Sequence, residues 1–93
     1  MDTKSLVKIA KALSDPNRLR ILQEIAQAQA PQVGCSELFD VAPVSQPSMS
    51  HHVKALVEAG LVESHKEGRC VYLSVNAEKL EELEVFLQLL KTK

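Results

Sequence analysis

The stretch from residue 45 to residue 60, SQPSMSHHVKALVEAG, decides the fold of this chain. Ser45 can cap a helix that begins at Gln46 and Pro47, because its hydroxyl accepts a bond from a free backbone N–H and proline loses nothing at the first helical position. The apolar positions follow helical spacing and share one face, at Met49, Val53, Leu56 and Val57. Gly60 can end the helix in the left-handed conformation. The stretch therefore predicts an amphipathic helix with one buried side.

The outer face of this helix is polar, and its first two turns contain no acid. It carries Gln46, Ser48, Ser50, His51 and Lys54. An ordinary solvated helix mixes charges of both signs, whereas a helix that reads DNA presents hydrogen-bonding side chains in its first turns. Taken one at a time, these side chains would also suit an ordinary solvent-exposed helix face. The missing acids favour contact with the groove of duplex DNA.

A short helix and a tight break precede this segment. Ser36 to Phe39 predicts the start of a short helix, and Ala42-Pro43 ends it because the residue before proline is pushed out of helical geometry. A short helix, a break and a second amphipathic helix over residues 36–59 form the helix-turn-helix pattern.

After Gly60 the apolar period changes from helical to two, which predicts a β-hairpin over residues 61–75. Its turn contains Gly68, with Lys66 and Arg69 on either side. A hairpin in this place is a wing, and cations at its tip can reach phosphates or the minor groove.

The two ends of the chain, residues 1–13 and 77–91, predict helices with apolar stripes. The stripes contain Leu6, Ile9 and Leu13 in the first helix and Leu83, Leu87 and Leu90 in the last. Few elements remain to cover the last stripe, so we expect a dimer surface there. Docking of the last helix on the first within one chain is an alternative, and both arrangements can hold at once.

Composition and charge allow one domain, residues 1–93, in which apolar residues make up 45% of the chain and aromatic residues 3%. The net charge is −1, but residues 1–23 hold five cations against two acids, so a basic face can exist in a neutral chain. The chain has no apolar run of about 18 residues, which predicts no membrane contact. Its two cysteines are too few for a disulfide scaffold, and we expect a cytoplasmic protein.

Three stretches resemble the ArsR/SmtB family of bacterial repressors: KALSDPNRLRIL, SELFDVAPVSQPSMSHHVKALVEAGLV and EGRCVYLSV. The resemblance implies a mainly α winged helix-turn-helix of five helices with a small β-hairpin wing. It also implies a homodimer through the first and last helices and binding to an inverted-repeat operator, relieved by an effector. In that arrangement Gln46, Ser48, Ser50 and His51 face the major groove, and the wing tip, from Lys66 to Arg69, flanks it.

The metal sites of that family are not matched by this chain. Gly34 and Ser36 stand where two thiolates would be, and Ala77 and Lys79 stand where an aspartate and a histidine would be. Zinc needs about four N, S or O ligands. We therefore expect no metal site and no cofactor.

Cys35 and Cys70 leave a thiol-based switch open, responding to oxidation, persulfide or an arsenical. The resemblance implies that the strand before the third helix pairs with the wing, which brings the two cysteines to one sheet. Family members that sense such species usually carry their cysteines on other helices. The plainer interpretation is that both are small buried residues in strands.

Two other function classes compete with a DNA-binding repressor, an enzyme and a protein-binding module. An enzyme needs a nucleophile with its base, a phosphate loop or clustered carboxylates, and the sequence contains none of these patterns. A winged-helix module for protein contacts is the stronger alternative, but its surface would usually expose aromatic or aliphatic anchors.

Overall fold

The computed structural model describes residues 1–28, 32–34 and 45–92, without the side chain of Gln46. These residues form four helices and three short strands in the order α1, α2, β1, α3, β2, β3, α4. Five helices were expected. The missing one, the short helix predicted from Ser36, lies outside the described residues, as does Cys35.

The first two helices begin at aspartate caps. Asp2 accepts a hydrogen bond of 2.9 Å from the backbone N–H of Ser5 at the start of α1, Thr3–Leu13. Asp15 accepts from the N–H groups of Asn17 and Arg18 at 2.8 and 3.2 Å, at the start of α2, Pro16–Gln27. The sharp break between α1 and α2 follows from this second cap and from the proline behind it.

The later helices are capped in the same manner. Ser45 accepts from the backbone N–H of Ser48 at the start of α3, Gln46–Glu58. Asn76 accepts from the N–H of Lys79 at the start of α4, Ala77–Lys91. Gly60 follows α3 with φ +83°, a conformation that a side chain would strain. The predicted starts of α3 and α4 are confirmed.

The three strands form one antiparallel sheet in the order β1-β3-β2. They span β1, Val33–Gly34, β2, Val62–Glu67, and β3, Cys70–Val75. Glu67 pairs with Cys70, which leaves a two-residue turn with Gly68 at φ +59°. Glycine at the first turn position matches the twist of a tight hairpin. The wing is confirmed, and β1 pairs with it through Val33 and Leu73.

The hydrophobic core joins the first three helices to the sheet. Its fully buried side chains come from α1, α2, α3, the segment after α3 and β3, and they are Ile9, Ile21, Met49, Leu56, Leu61 and Leu73. Two of these belong to α3, so the polar outer face of α3 is fixed by the packing of its inner face.

The apolar face of α1 was only partly predicted. Ile9 is 1% exposed within its own chain, so a partner subunit cannot bury it further. Ile9 and Ala12 turn toward α2 and α3, whereas Leu6 and Leu13 are half-buried at the margin of that contact. The placement of Ile9 in a dimer seam was therefore wrong.

Helix α4 contains no buried residue. Leu83 packs against the core and is half-buried, whereas Leu87 and Leu90 are 49% and 64% exposed. The helix thus docks on its own chain through its first half and leaves an apolar second half uncovered. No helix in the described part of the chain is long and apolar enough to cross a membrane.

Replacing Leu56 by alanine should lower the free energy of unfolding by about 2–5 kcal/mol, since the change opens a cavity in a fully buried position. Leu19, on α2, is 40% exposed and provides a matched control, for which about 1 kcal/mol or less is expected. Urea unfolding at one protein concentration measures both values. Equal losses for the two variants would contradict the core described above.

Candidate nucleic-acid interface

The outward face of α3 is exposed along its first three turns. Ser48, Ser50, His51 and Lys54 are all exposed, and the side chain of Gln46 lies outside the described part of the chain. Ser45 donates a hydrogen bond of 3.1 Å to the Ser48 hydroxyl, next to the cap of the helix. The structure therefore brings the described members of the predicted set onto one surface.

The charge of this face is positive or neutral over its length, apart from its last turn. The first turn contains no acid. Lys54 lies 4.0 Å from Glu58, and both side chains are mostly exposed, so water screens this pair and it holds Lys54 weakly. Lys54 is thus free to turn toward a phosphate.

His52 is a buried member of α3 that the sequence analysis missed. It is 9% exposed, and its Nδ1 accepts a hydrogen bond of 3.2 Å from Nε of Arg18 on α2. A terminal nitrogen of the same guanidinium lies 3.5 Å from Nε2 of His51. The signal was available, because position 52 lies three residues after Met49 and four before Leu56, on the apolar side of the helix.

The wing tip presents two cations to solvent, Lys66 and Arg69, as predicted from its turn. Strand alternation places Lys66 on the face of Val62, and it places Glu63 and Glu67 on the opposite face. Nε2 of His65 lies 3.3 Å from Oε1 of Glu67, so this pair also belongs to the opposite face. The cation and the acids of β2 are therefore separated by the sheet.

Cys70 is exposed, which corrects the interpretation of a small buried residue. In β3 the side chain of Leu73 points into the core, so a residue three positions earlier points to the other face. The distance between Cys70 and Cys35 is not described, since Cys35 lies outside the described residues.

Groups of three or more histidine, cysteine, aspartate or glutamate side chains with metal-binding geometry are absent from residues 1–28, 32–34 and 45–92. At one of the positions where family members hold a ligand, Lys79 instead lies 3.2 Å from Glu82 in an ion pair. Ala77 supplies no ligand atom at all.

Comparison with known proteins agrees with this geometry. A helix-turn-helix domain family matches residues 13–65. The arsenical resistance operon repressor of Staphylococcus xylosus is 35% identical over 92 residues, which cover 99% of this chain and 86% of that protein. An ArsR-like transcriptional regulator from Rhodococcus superposes with a TM-score of 0.81 at 32% identity, covering 95% of this chain and 80% of the other.

A third match concerns a dimer. The homodimeric winged helix-turn-helix DNA-binding domain Mb0332 from Mycobacterium bovis, a possible ArsR-family regulator, superposes with a TM-score of 0.72 at 25% identity. The match covers 95% of this chain and 79% of that domain. With its capped helices, its three-stranded wing and these relatives, the chain belongs to the ArsR/SmtB family of winged helix-turn-helix transcriptional repressors, which bind DNA and are not enzymes.

Proposed function

We propose that this repressor binds an inverted-repeat operator as a homodimer, with α3 of each subunit in the major groove and the wing tip beside it. The observation that carries the proposal is the exposed, acid-free start of α3 on a helix whose other side is core. A helix held in this way presents Ser48, Ser50 and His51 to base edges and Lys54 to the backbone. Gln46 belongs to the same turn and reads adenine well.

The second half of α4 supports the dimer. Its exposed apolar side chains near the end of the helix are Val85, Leu87, Leu89 and Leu90. Met1, which precedes α1, and Val85 line one groove together with three acids, Glu78, Glu81 and Glu82, so the apolar surface has an acidic border on this side. Val7, on α1, is 45% exposed and was not predicted to take part. Uncovered apolar surface of this kind usually marks an interface, and the homodimeric relative favours a second copy as its occupant.

Two subunits related by a twofold axis match an operator with twofold symmetry. Recognition helices about 34 Å apart place the two half-sites one helical turn from each other. Bases contacted by α3 then give the sequence preference, and the wing adds affinity for any duplex.

His51→Ala should weaken binding to a duplex selected from a random pool by about 1–3 kcal/mol, and it should change binding to unselected DNA much less. Arg69→Ala should weaken both duplexes equally and lower the slope of log affinity against log salt by about one. Fluorescence anisotropy over a salt series measures both effects. A matched control is Lys91→Ala, which removes one exposed cation at the far end of α4.

If His51→Ala and Gln46→Ala both bind the selected duplex as the parent does, α3 does not read the operator. A failure to select any duplex would favour the alternative, a winged-helix module that contacts another protein.

Leu87→Lys should yield monomers and lose affinity for a full operator, because an unpaired charge would be desolvated in the seam. Leu19→Lys is the matched control, since this leucine is similarly exposed but lies on α2. Sedimentation velocity separates the two states. A tight dimer of Leu87→Lys would place the seam elsewhere.

For the effector, we propose that zinc does not act through a site of the kind its relatives use, because Gly34, Ala77 and Lys79 supply none of the thiolate, carboxylate or imidazole ligands. A thiol switch through Cys35 and Cys70 is the second candidate, and the exposure of Cys70 favours it over a purely structural cysteine.

Isothermal titration of the reduced protein with zinc should show no tight site per protomer. Treatment with diamide should change operator affinity little in the parent, in Cys35→Ser and in Cys70→Ser. A loss of affinity confined to the diamide-treated parent would establish the thiol switch. Stoichiometric zinc binding would overturn the proposal that zinc has no site here.

A further inference from the structure

The side chain of Arg18 links α2 to both histidines of α3. Its Nε lies 3.2 Å from Nδ1 of His52, and its terminal nitrogen lies 3.5 Å from Nε2 of His51. Among the described residues, His52 is the buried polar side chain of the molecule. A polar group buried at a helix contact is stabilised there only while its hydrogen bond is made.

The chemistry of arginine fixes the protons on both imidazoles. A guanidinium donates hydrogen bonds, never accepts them and stays charged at any relevant pH. Nδ1 of His52 must therefore be the accepting nitrogen, which leaves the proton of the neutral ring on Nε2. By the same reasoning Nε2 of His51 accepts, so the outer Nδ1 of His51 carries the proton and can donate.

We propose that Arg18 is a positioning residue for DNA recognition, which presents His51 to the duplex as a donor through Nδ1 and which is released when His52 takes up a proton. The inference rests on the proposed placement of His51 in the groove. It predicts the partner atoms of His51 as acceptors, such as a purine N7 or a phosphate oxygen.

Protonation of His52 breaks this arrangement. The added proton would occupy Nδ1, where it removes the accepting lone pair and places two positive charges about 3.2 Å apart. Two like charges at this distance in a partly buried contact repel each other, which drives the guanidinium and the ring apart. His51 then loses its support from α2.

The charged groups around Arg18 and His52 have opposite effects on a positive charge at His52. The described ones are Asp15 and Arg18 on α2, His51 on α3 and, along the neighbouring groove, Lys8, Lys11 and Glu58. The backbone N–H groups of Arg18 and Asn17 hold the pKa of Asp15 below its usual range, so Asp15 stays ionised as the pH falls. A protonated His52 is thus attracted by Asp15 while it is repelled by Arg18.

The sign of the pH effect separates this device from other titrations. Protonation of a surface group that makes no contact with Arg18 makes the protein more positive and strengthens binding to phosphates. An operator affinity that falls between about pH 8 and about pH 5 therefore has to come from a group whose protonation damages the interface. His52 and His51 both accept from Arg18, and the variant His52→Asn distinguishes them.

Arg18→Met tests the positioning, since methionine keeps much of the aliphatic stem and donates no hydrogen bond. We expect about a tenfold loss of affinity for the selected duplex at neutral pH. The slope of log affinity against log salt should not change, and the further loss of affinity on acidification should be smaller than in the parent. The matched control is Arg20→Met, which removes an equal charge from an exposed site two residues along α2. A salt slope lower by about one would make Arg18 a phosphate contact instead and overturn the proposal, as would parental affinity.

His52→Asn tests the proton. The amide oxygen of asparagine can accept from Arg18 where Nδ1 does, but it cannot be protonated in this range. We expect parental affinity at neutral pH and no loss on acidification. Persistence of the parental acid loss in a folded His52→Asn protein would overturn the switch.

Nitrogen chemical shifts of the parent protein provide a measurement that needs no variant. Nδ1 of His52 should have the shift of an unprotonated, accepting nitrogen at neutral pH, and a protonated Nδ1 would overturn the assignment. Failure of this inference can be told apart from failure of the proposed function. If α3 does not read the operator, His51→Ala binds the selected duplex as the parent does, whatever the Arg18 variant does.

Discussion

The burial of one face of α3 is the constraint on which the rest of the molecule depends. Met49 and Leu56 are completely buried, and they meet side chains from α1, α2 and the wing strands. Because the core is close-packed, the helix cannot rotate or slide without opening voids. The polar face of α3 therefore has a defined orientation that comes from the packing of its apolar face.

Local signals made most of the fold predictable. Caps at Asp15, Ser45 and Asn76, the stop at Gly60 and the period-two pattern of the wing each involve residues within a few positions of one another. Their chemistry is set by the backbone next to them, so the sequence alone is sufficient. The exposed side chains on the outer face of α3 belong to the same class, since helical spacing assigns them to one face.

Contacts between elements that are far apart in the sequence were harder to predict. The burial of Ile9 depends on how α1 lies across α2 and α3, and helical spacing does not distinguish a core stripe from an interface stripe. The pairing of Arg18 with His52 spans 34 positions and requires the crossing of two helices. The exposure of Cys70 follows from the parity of β3, which the register with its neighbours settles.

The order of the strands places β2 at the edge of the sheet, where one side of its backbone has no neighbouring strand among the described residues. Edges of this kind invite strand addition and fibre growth unless something discourages it. Here the edge is short and carries charged side chains on both faces, and a tight turn ends it. Such a rim resists strand addition by a second molecule, so the proposed pairing through the apolar end of α4 would form a closed pair without opening a route to aggregation.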